Sequence, residues 1–320
     1  MKKRNNKIIV LIVVAVLFAV SLLIFILNYS KDNSSFSILE KKWINDNTSN
    51  VLDISVYNDV PVYGKSGKGV IFDLLDDFTT TYGINFNKIS YSVDSSSNLN
   101  KNAFRVLNNN ESLTNKDILL YEDNYVLVST EEEVINNIND IDNHTVAVLK
   151  KDLNTVSNDL SEVKKISYLQ KENVNELEEA LKNKETNYVI VPYNMYMDFI
   201  LKNDLHILYH LSDISKKYVL TIENKTFLDI MKKYYLGYQK NKQQTSYKTN
   251  FLSEFFYDKE ITEADRMSYN SSSYNVGYIT YMPFTGKEEK DLVGTYRERR
   301  FLAATSVGCL YGSQRTTGTG

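Results

Sequence analysis

The hydrophobic pattern from Leu52 to Phe78 changes from the period of a strand to the period of a helix. Ile54 and Val56 alternate with polar neighbours, which is typical of a half-buried strand. Pro61 and a run of glycines then break the pattern, and apolar residues follow at spacings of three and four. These helical positions share one face and are Val70, Ile71, Leu74, Leu75 and Phe78. A strand, a glycine-rich turn and a helix form the first half of a βαβ unit, so the stretch predicts a parallel sheet.

The same alternation of strand and helix continues to Tyr257 and predicts a second βαβ series. The predicted strands are Ile84 to Val93, Asp117 to Thr130 (two strands joined through Glu122 and Asp123), Thr145 to Leu149, Ile166 to Leu169, Asn187 to Val191, His206 to Leu211 and Tyr218 to Ile222. A Ser/Asn-rich loop is predicted from Asp94 to Asn102.

Helices are predicted where apolar residues recur with helical spacing. They are Glu131 to Asp142, a helix that starts near Asn154 or Thr155, Val174 to Leu181, Tyr193 to Leu201, Phe227 to Lys240 and Thr249 to Tyr257. A further short helix before the first strand is predicted to pack on the domain through Phe36, Ile38, Leu39 and Trp43.

The amino terminus has the pattern of a membrane anchor. An uncharged run, Ile8 to Leu27, follows Lys2, Lys3, Arg4 and Lys7, and about 20 apolar residues suffice to span a bilayer as a helix. Positive charge before the run predicts a cytoplasmic amino terminus, which places the bulk of the chain outside the cell membrane. A cleaved signal peptide is the alternative, but the run is long and no small-residue cleavage site follows it.

Composition and local motifs argue against several classes of function. The chain has 320 residues and a net charge of −3, so nucleic-acid binding is not expected. Cys309 has no second cysteine with which to form a disulfide. The Gly64-Lys65-Ser66 triplet lacks the glycine that a phosphate loop needs at position 59, and His206 and His210 fit ordinary sheet residues. We therefore predict no catalytic residue, no metal ligand and no cofactor, and the chain is not expected to be an enzyme.

A second copy of the opening pattern occurs near the carboxyl terminus. Val276 to Tyr296 aligns with the stretch from Ile54, with Pro283 matching Pro61. After Tyr296 the composition changes abruptly to an arginine-rich tail without Lys or Asn. This change indicates a frameshifted or otherwise truncated end, and we expect the residues after about 298 to be disordered.

The opening stretch resembles that of a known family. Its strand, proline turn and "G-x-x-D-L" entry into the first helix, carried here by Pro61, Gly69, Phe72, Asp73 and Leu74, are similar to those of the bacterial extracytoplasmic solute-binding proteins of family 3. The resemblance implies an α/β fold of the type II periplasmic-binding-protein kind, with two lobes, after one transmembrane helix. The implied organisation is an anchor (1–30), a spacer (31–50), lobe 1 (about 51–125 and 215–258), lobe 2 (about 126–214), a linker (259–275), the start of a second domain (276–296) and the tail (297–320).

The resemblance places a ligand cleft at the carboxyl ends of the parallel strands, between the lobes. Family members hold an amino acid with an Arg, expected near Asn115, and an Asp, expected at Pro192; neither charge is present. Polar and aromatic groups at strand ends favour a neutral or weakly charged small solute, with Tyr63 facing Tyr193. The candidate ligand-binding residues are Asn58, Asp59, Tyr63, Arg105, Tyr121, Tyr125, Asn154, Thr155, Tyr193 and Asn194.

Tandem copies behind an anchor resemble the input region of bacterial signalling receptors. We therefore expect a membrane-anchored sensor module that binds a small solute, with its output domain missing from this chain. The alternatives are the substrate-binding component of an ABC-type transporter and a cell-surface structural protein. The identity of the solute and the formation of a homodimer stay open at this point.

Overall fold

The computed structural model describes residues 36–95, 99–163 and 165–271, together with two short strands at 286–288 and 291–293. The predicted anchor at Ile8 to Leu27, most of the predicted second copy and the tail lie outside the described residues. In the described ranges, no helix has both the length and the apolar character needed to cross a membrane.

The first lobe is built from the amino-terminal part of the described chain. Its elements are α1 (Ile38–Asn47), β1 (Val51–Tyr57), β2 (Asp59–Val60), β3 (Gly64–Lys65), α2 (Val70–Tyr82), β4 (Asn85–Tyr91), a 3₁₀ turn (Val93–Ser95) and β5 (Asn102–Leu107). The long strand β6 (Asp117–Ser129) then carries the chain into the second lobe.

The second lobe follows, and the chain then returns to the first. Its elements are a 3₁₀ turn (Ile138–Ile141), β7 (Thr145–Leu149), α3 (Leu153–Asp159), β8 (Ser167–Lys171), α4 (Val174–Lys182), β9 (Tyr188–Pro192) and α5 (Met197–Lys202). The return strand is β10 (His206–Ile222), followed by α6 (Lys225–Tyr238), a π-helical segment (Gln239–Gln243), α7 (Gln244–Asp258), α8 (Glu263–Ser271) and a hairpin of β11 (Gly286–Glu288) and β12 (Asp291–Val293).

Two long strands join the lobes. The sheet order is β4-β1-β5-β10-β6-β9-β7-β8, with β1 parallel to β4 and β5, and β7 parallel to β8 and β9. The strands β6 and β10 are antiparallel and belong to both halves of the sheet. Their register shifts between Leu211 and Ser215, where three residues of β10 have no partner on β6. A bulge of this kind bends the strand, and it marks the hinge between the lobes.

Each lobe has its own hydrophobic core. In the first lobe the buried face of α2 packs with β1, β5, the second half of β10 and α6. In the second lobe one cluster lies on each face of the sheet, since β7, β8 and β9 are covered by helices on both sides. The predicted two-lobed α/β fold is therefore confirmed.

Several predicted boundaries are wrong because tertiary pairing overrides local polarity. The polar pair Glu122 and Asp123 does not separate two strands, since both residues stay in the continuous ladder with β10. Likewise His206 to Leu211 and Tyr218 to Ile222 belong to one bulged strand. The strand β5 lies beside the predicted loop and was missed by the sequence pattern.

The acidic segment from Glu131 to Asp142 is not a helix beyond one 3₁₀ turn at Ile138–Ile141. Its side chains make tertiary contacts instead: Glu133 accepts a hydrogen bond from the Tyr188 hydroxyl at 2.8 Å. Ile141 is buried in the second lobe. A run of like charges also disfavours a helix.

The helix α1 packs on the first lobe by only part of the predicted face. Ser37 caps it in a capping box with Glu40, and Trp43 stacks on Phe227 with ring centroids 5.0 Å apart. Phe36 is buried, as predicted. The predicted contacts of Ile38 and Leu39 are wrong, because these side chains are 87% and 74% exposed.

In the second lobe, α3 begins after Asp152, which is its N-cap residue.

Candidate functional site

A cavity of about 320 Å³ lies between the lobes, where the carboxyl ends of their parallel strands meet. The first lobe contributes residues from the ends of β4 and β5, and the second lobe contributes residues that follow β7 and β9. The hinge strand β10 closes the base of the cavity. The lining residues are Tyr91, Val93, Asp94, Leu99, Arg105, Val106, Asn108, Glu111, Lys151, Met195 and Lys216.

Arg105 is a half-buried cation in this cavity. It lies on β5, opposite Val219 of β10, so the sheet fixes the position of its backbone. In the described part of the chain its guanidinium makes no hydrogen bond or ion pair, and its electrostatic neighbours are Tyr91 and Asp117. A guanidinium presents several N–H donors in one plane and matches a carboxylate. Arg105, a sequence-predicted residue, is therefore placed to receive an anionic group.

An ion pair spans the mouth of the cavity. The Nζ atom of Lys151, which follows β7 of the second lobe, lies 2.6 Å from Oδ1 of Asp94 in the first lobe. Burial lowers the pKa of Lys151, but Tyr196 and Asp94 outweigh this effect, so the pKa lies above its usual value. The pair links the two lobes, but the Asp94 side chain is 73% exposed, so its contribution to stability is small.

A buried ion pair forms the base of the cavity. Lys216 of β10 donates from Nζ to Oδ1 of Asp152 at 2.6 Å and to Oδ1 of Asn108 at 2.8 Å. The side chains of Lys216 and Asp152 are only 5% and 2% exposed. The hydroxyl of Tyr125 donates to the same Asp152 oxygen at 2.8 Å, and burial together with Asp152 raises the pKa of Tyr125. Charges buried to this degree are retained only with partners, and these three groups supply them.

A second cavity of about 350 Å³ lies beside this ion pair. It is lined by Asn109 and Asn110 after β5, by the exposed side of α3 and by the hinge bulge at Asp213 and Ile214. The predicted residues Asn154 and Thr155 line it. They lie in the first turn of α3 and contribute polar, uncharged side chains, whereas Asp159 and Asp213 contribute carboxylates to the same cavity.

Predicted aromatic residues fill the space beneath the first strand. The ring of Tyr63 is 2% exposed and stacks on Tyr121 and Tyr218, with centroids 4.9 and 5.0 Å away. Gly69 makes this possible, since a Cβ there would lie 2.5 Å from the carbonyl oxygen of Tyr63 and its φ is +122°. Tyr193 packs at the edge of the same cluster. The interlobe cavity of about 320 Å³ thus lies beside Arg105, and neither Tyr63 nor Tyr193, between which the opening was expected, lines it.

Asp123 and Asn194 form a buried hydrogen-bond network at the hinge. Asp123 is fully buried and accepts from the backbone N and Nδ2 of Asn194, from the backbone N of Met195 and from the hydroxyl of Tyr218. Burial raises the pKa of Asp123, and these hydrogen bonds oppose the shift. The network holds the chain in a turn after β9, so the helix predicted from Tyr193 begins only at Met197.

Asn194 also joins the two lobes. Its Nδ2 donates to the hydroxyl of Tyr121 at 3.0 Å, and its Oδ1 accepts from Tyr247 of α7 at 2.9 Å. Burial and Asp123 raise the pKa of Tyr121 to about 12, although the hydrogen bond with Asn194 lowers it. The predicted residues Tyr121 and Asn194 thus act in this internal network.

The predicted residues Asn58 and Asp59 shape the loop after β1. Oδ1 of Asn58 accepts from the backbone N of Gly67 at 2.7 Å, and Asp59 accepts from Ser92 Oγ at 2.5 Å and from the backbone N of Val93. Asp59 therefore positions the turn after β4, which supplies Val93 and Asp94 to the cavity.

The sequence pattern missed most of the charged groups of the cleft. Lys216, Asp152, Lys151 and Asp94 come together only in the folded chain. One signal was available, since Asp152 follows a buried strand and precedes a helix, which is a typical position for an N-cap residue. Lys216 gives no such signal, because its neighbourhood reads as a polar gap between two strands.

A cluster of three carboxylates lies away from the cavity. Oxygen atoms of Asp198, Glu254 and Asp258 lie within 4.8 Å of one another. Lys65 lies 2.5 Å from Asp198 and 2.8 Å from Glu254, while Lys202 lies 3.8 Å from Asp258. Burial and Asp198 raise the pKa of Asp258 to about 6. The cluster links β3 of the first lobe to α5 of the second lobe and to α7. These contacts therefore connect the two lobes.

Solved structures of similar shape are numerous although their sequences differ. The Bordetella pertussis BvgS VFT2 domain, as a double mutant, matches with a TM-score of 0.50 and 14% identity over 67% of this chain and 97% of its own. The chain has the type II fold of the periplasmic solute-binding proteins. A comparison with protein-family models finds no match, and a comparison with curated proteins finds no similar sequence.

Two further solute-binding structures are similar at lower TM-scores. Substrate-binding domain 2 of Lactococcus lactis GlnP has a TM-score of 0.48 and 13% identity, covering 62% of this chain and 94% of that one. The amino acid ABC transporter substrate-binding protein AbpA from Streptococcus pneumoniae, bound to L-arginine, has a TM-score of 0.46 and 16% identity, covering 65% and 98%.

The two charges that the resemblance implies are absent from their expected positions, and other charged residues lie at or next to the cavity. Asn115 lies at a surface turn, near Lys232, and does not line the interlobe cavity. Arg105 supplies a first-lobe guanidinium from β5 instead. Pro192 ends β9, and the buried carboxylate of the second lobe is Asp152, at the end of β7.

Proposed function

We propose that this chain is a membrane-anchored solute-binding module that senses a small molecule on the outer side of a cell membrane. The carrying observation is the interlobe cavity of about 320 Å³, lined by polar groups of both lobes at the carboxyl ends of their strands. A solute held there contacts both lobes, so its binding favours the closed arrangement about the hinge.

The anchoring part of the proposal is supported by the sequence. The run Ile8 to Leu27 has the length and the preceding positive charge of a transmembrane helix. The sensing part is supported by the start of a second copy at Val276 to Tyr296, since a receptor input region uses such copies in tandem. The similar BvgS VFT2 structure is a periplasmic domain of this shape.

Solute binding is tested by thermal unfolding of the purified protein in detergent, followed by the fluorescence of Trp43, the one tryptophan in the sequence. The probes are amino acids, short carboxylates, sugars and polyamines. A solute at a hundred times its dissociation constant adds about 2.7 kcal/mol of stability, which is about 5 to 10 °C for a domain of this size. The absence of any shift across these probes would contradict the proposal.

The site is tested with two charge-matched variants. We expect Arg105→Gln to lose the solute-induced shift, because Arg105 lines the cavity. Lys101→Gln removes the same charge at an exposed position outside the cavity and should keep the shift. Equal shifts in both variants would place the solute elsewhere.

Sensing is distinguished from transport by the coding DNA beyond the Tyr296 codon, read in all frames. Recovery of a second solute-binding domain followed by an output domain supports the sensor. A stop codon followed by permease genes supports a transport component and contradicts the sensor.

A further inference from the structure

We propose that the solute of the interlobe cavity is a small carboxylate anion that carries no ammonium group. This inference rests on the proposed function and narrows its solute class. The observation behind it is that Lys216 already holds Asp152, the buried carboxylate of the second lobe next to the cavity.

Asp152 is the buried acidic group next to the cavity, joined to it through the lining residue Lys216. It follows β7 at the amino end of α3, and its side chain is 2% exposed. Oδ1 of Asp152 accepts from Lys216 and Tyr125 at once. Its Oδ2 is buried and has no hydrogen-bond partner in the described part of the chain. An ammonium bound to Oδ2 would share one carboxylate with the charge of Lys216, and repulsion between the two cations in a buried site opposes this.

Lys216 is held in place as an internal ammonium. Its Nζ contacts Asp152 from the second lobe and Asn108 from the first, at 2.6 and 2.8 Å. Because its side chain is 5% exposed, moving it out of the way would leave Asp152 buried without its cation. A ligand ammonium gains little from this exchange, since it replaces one buried ion pair with another.

The other acidic groups of the cavity are also engaged. Asp94 is paired with Lys151 at 2.6 Å. Glu111 is exposed, and its Oε2 accepts from the backbone N and Nδ2 of Asn108. Arg105 is thus the lining cation whose side chain makes no hydrogen bond or ion pair to described residues. A ligand carboxylate can pair with Arg105, whereas Asp152, the buried carboxylate next to the cavity, is already paired with the charge of Lys216.

The test compares pairs of compounds that differ by the ammonium group: propionate with alanine, succinate with aspartate, and glutarate with glutamate. Dissociation constants are measured by titration calorimetry on the full chain. We expect at least one carboxylate to bind about tenfold or more tightly than its amino partner. Equal or tighter binding of the amino partner in every pair overturns the inference but leaves the proposed function standing. Binding of neither member in any pair overturns the inference as well, and the wider solute screen then decides the proposed function separately.

The role of Lys216 is tested by Lys216→Met, with Lys217→Met as the control of equal charge on the next residue of β10. Release of Asp152 in Lys216→Met should lower the preference for the carboxylate about tenfold or reverse it. Lys217→Met should keep the preference of the unmodified chain, because Lys217 does not line the cavity. An unchanged preference in a folded Lys216→Met variant overturns the inference.

A second variant covers the case in which Lys216→Met does not fold. Asp152→Asn keeps the shape of the side chain and frees the charge of Lys216, so it should tighten the binding of the carboxylate probe. Unchanged or weaker binding of that probe in Asp152→Asn overturns the inference. Glu111→Gln should leave the preference unchanged, and loss of binding of an amino compound in this variant would identify Glu111 as its partner instead.

Discussion

Replacement of Asp123 by alanine tests whether the hinge network holds the fold. The fully buried carboxylate accepts four hydrogen bonds, two from Asn194 and one each from Met195 and Tyr218, at 2.8 to 3.1 Å. Alanine leaves these buried donors without an acceptor, and each such donor costs about 1 kcal/mol or more. The variant should therefore lose about 3 to 5 kcal/mol of its free energy of unfolding.

Asp123→Asn should give an intermediate loss of about 2 kcal/mol. The remaining carbonyl oxygen still accepts hydrogen bonds, but the new amide nitrogen faces donors whichever oxygen it replaces. At Oδ1 these donors are the backbone N and Nδ2 of Asn194, and at Oδ2 they are the backbone N of Met195 and the Tyr218 hydroxyl. The stability of Asp123→Asn should therefore lie between that of the unmodified chain and that of Asp123→Ala, because of the donors around the carboxylate.

The measurement is urea denaturation followed by Trp43 fluorescence. A loss of about 4 kcal/mol at a slope of about 2 to 3 kcal/mol per M moves the midpoint by about 1 to 2 M. Asp46→Ala, at an exposed position on α1, is the control and should change the stability by less than about 0.5 kcal/mol. A loss below about 1 kcal/mol in Asp123→Ala would refute the reasoning, since it would mean that water or other acceptors satisfy the donors.

Two further predictions concern the carboxylate cluster and the glycines. Burial and Asp198 raise the pKa of Asp258 to about 6, so the folded chain binds the proton of this carboxyl more tightly than the unfolded chain does. The stability that protonated Asp258 contributes is therefore lost as pH rises from about 4 to 6. Asp258→Asn should raise Tm at pH 7.5 by about 2 to 4 °C, with little gain at pH 4; equal gains at both values would contradict this. Gly69→Ala should lose about 2 kcal/mol or more of its free energy of unfolding, because its Cβ would lie 2.5 Å from the carbonyl oxygen of Tyr63. Gly237→Ala, which has open space in α6, should gain about 0.5 to 1 kcal/mol in the same urea titration. An unchanged stability of Gly69→Ala would contradict the close approach.

The candidate site shows which of its parts local patterns can reveal. Asn154 and Thr155 were predicted because polar residues at the start of a helix after a buried strand point to the cleft of an open α/β sheet, and they line the second cavity. Tyr63 was predicted because it follows the first strand, and Tyr125 because it lies by the crossing between the lobes, yet their side chains are 2% and 1% exposed. Whether a strand-end residue faces the cleft or the core depends on the turn that follows it, and Gly69 decides this for Tyr63 by letting the loop pack against α2.

The sequence by itself determined the α/β class, most of the succession of strands and helices along the chain, and the expectation of a cleft at the carboxyl ends of the parallel strands. Periods of two and of three to four residues record which faces are buried, and the strand-helix alternation admits few connections. The tertiary structure alone decided how the charges meet. Lys216 and Asp152 are 64 residues apart in the sequence, too far for a local pattern to relate them. Only the folded hinge of β6 and β10 brings Nζ of Lys216 to 2.6 Å from Oδ1 of Asp152. The energy of such a pair depends on distance and burial, and neither quantity exists until the lobes have folded.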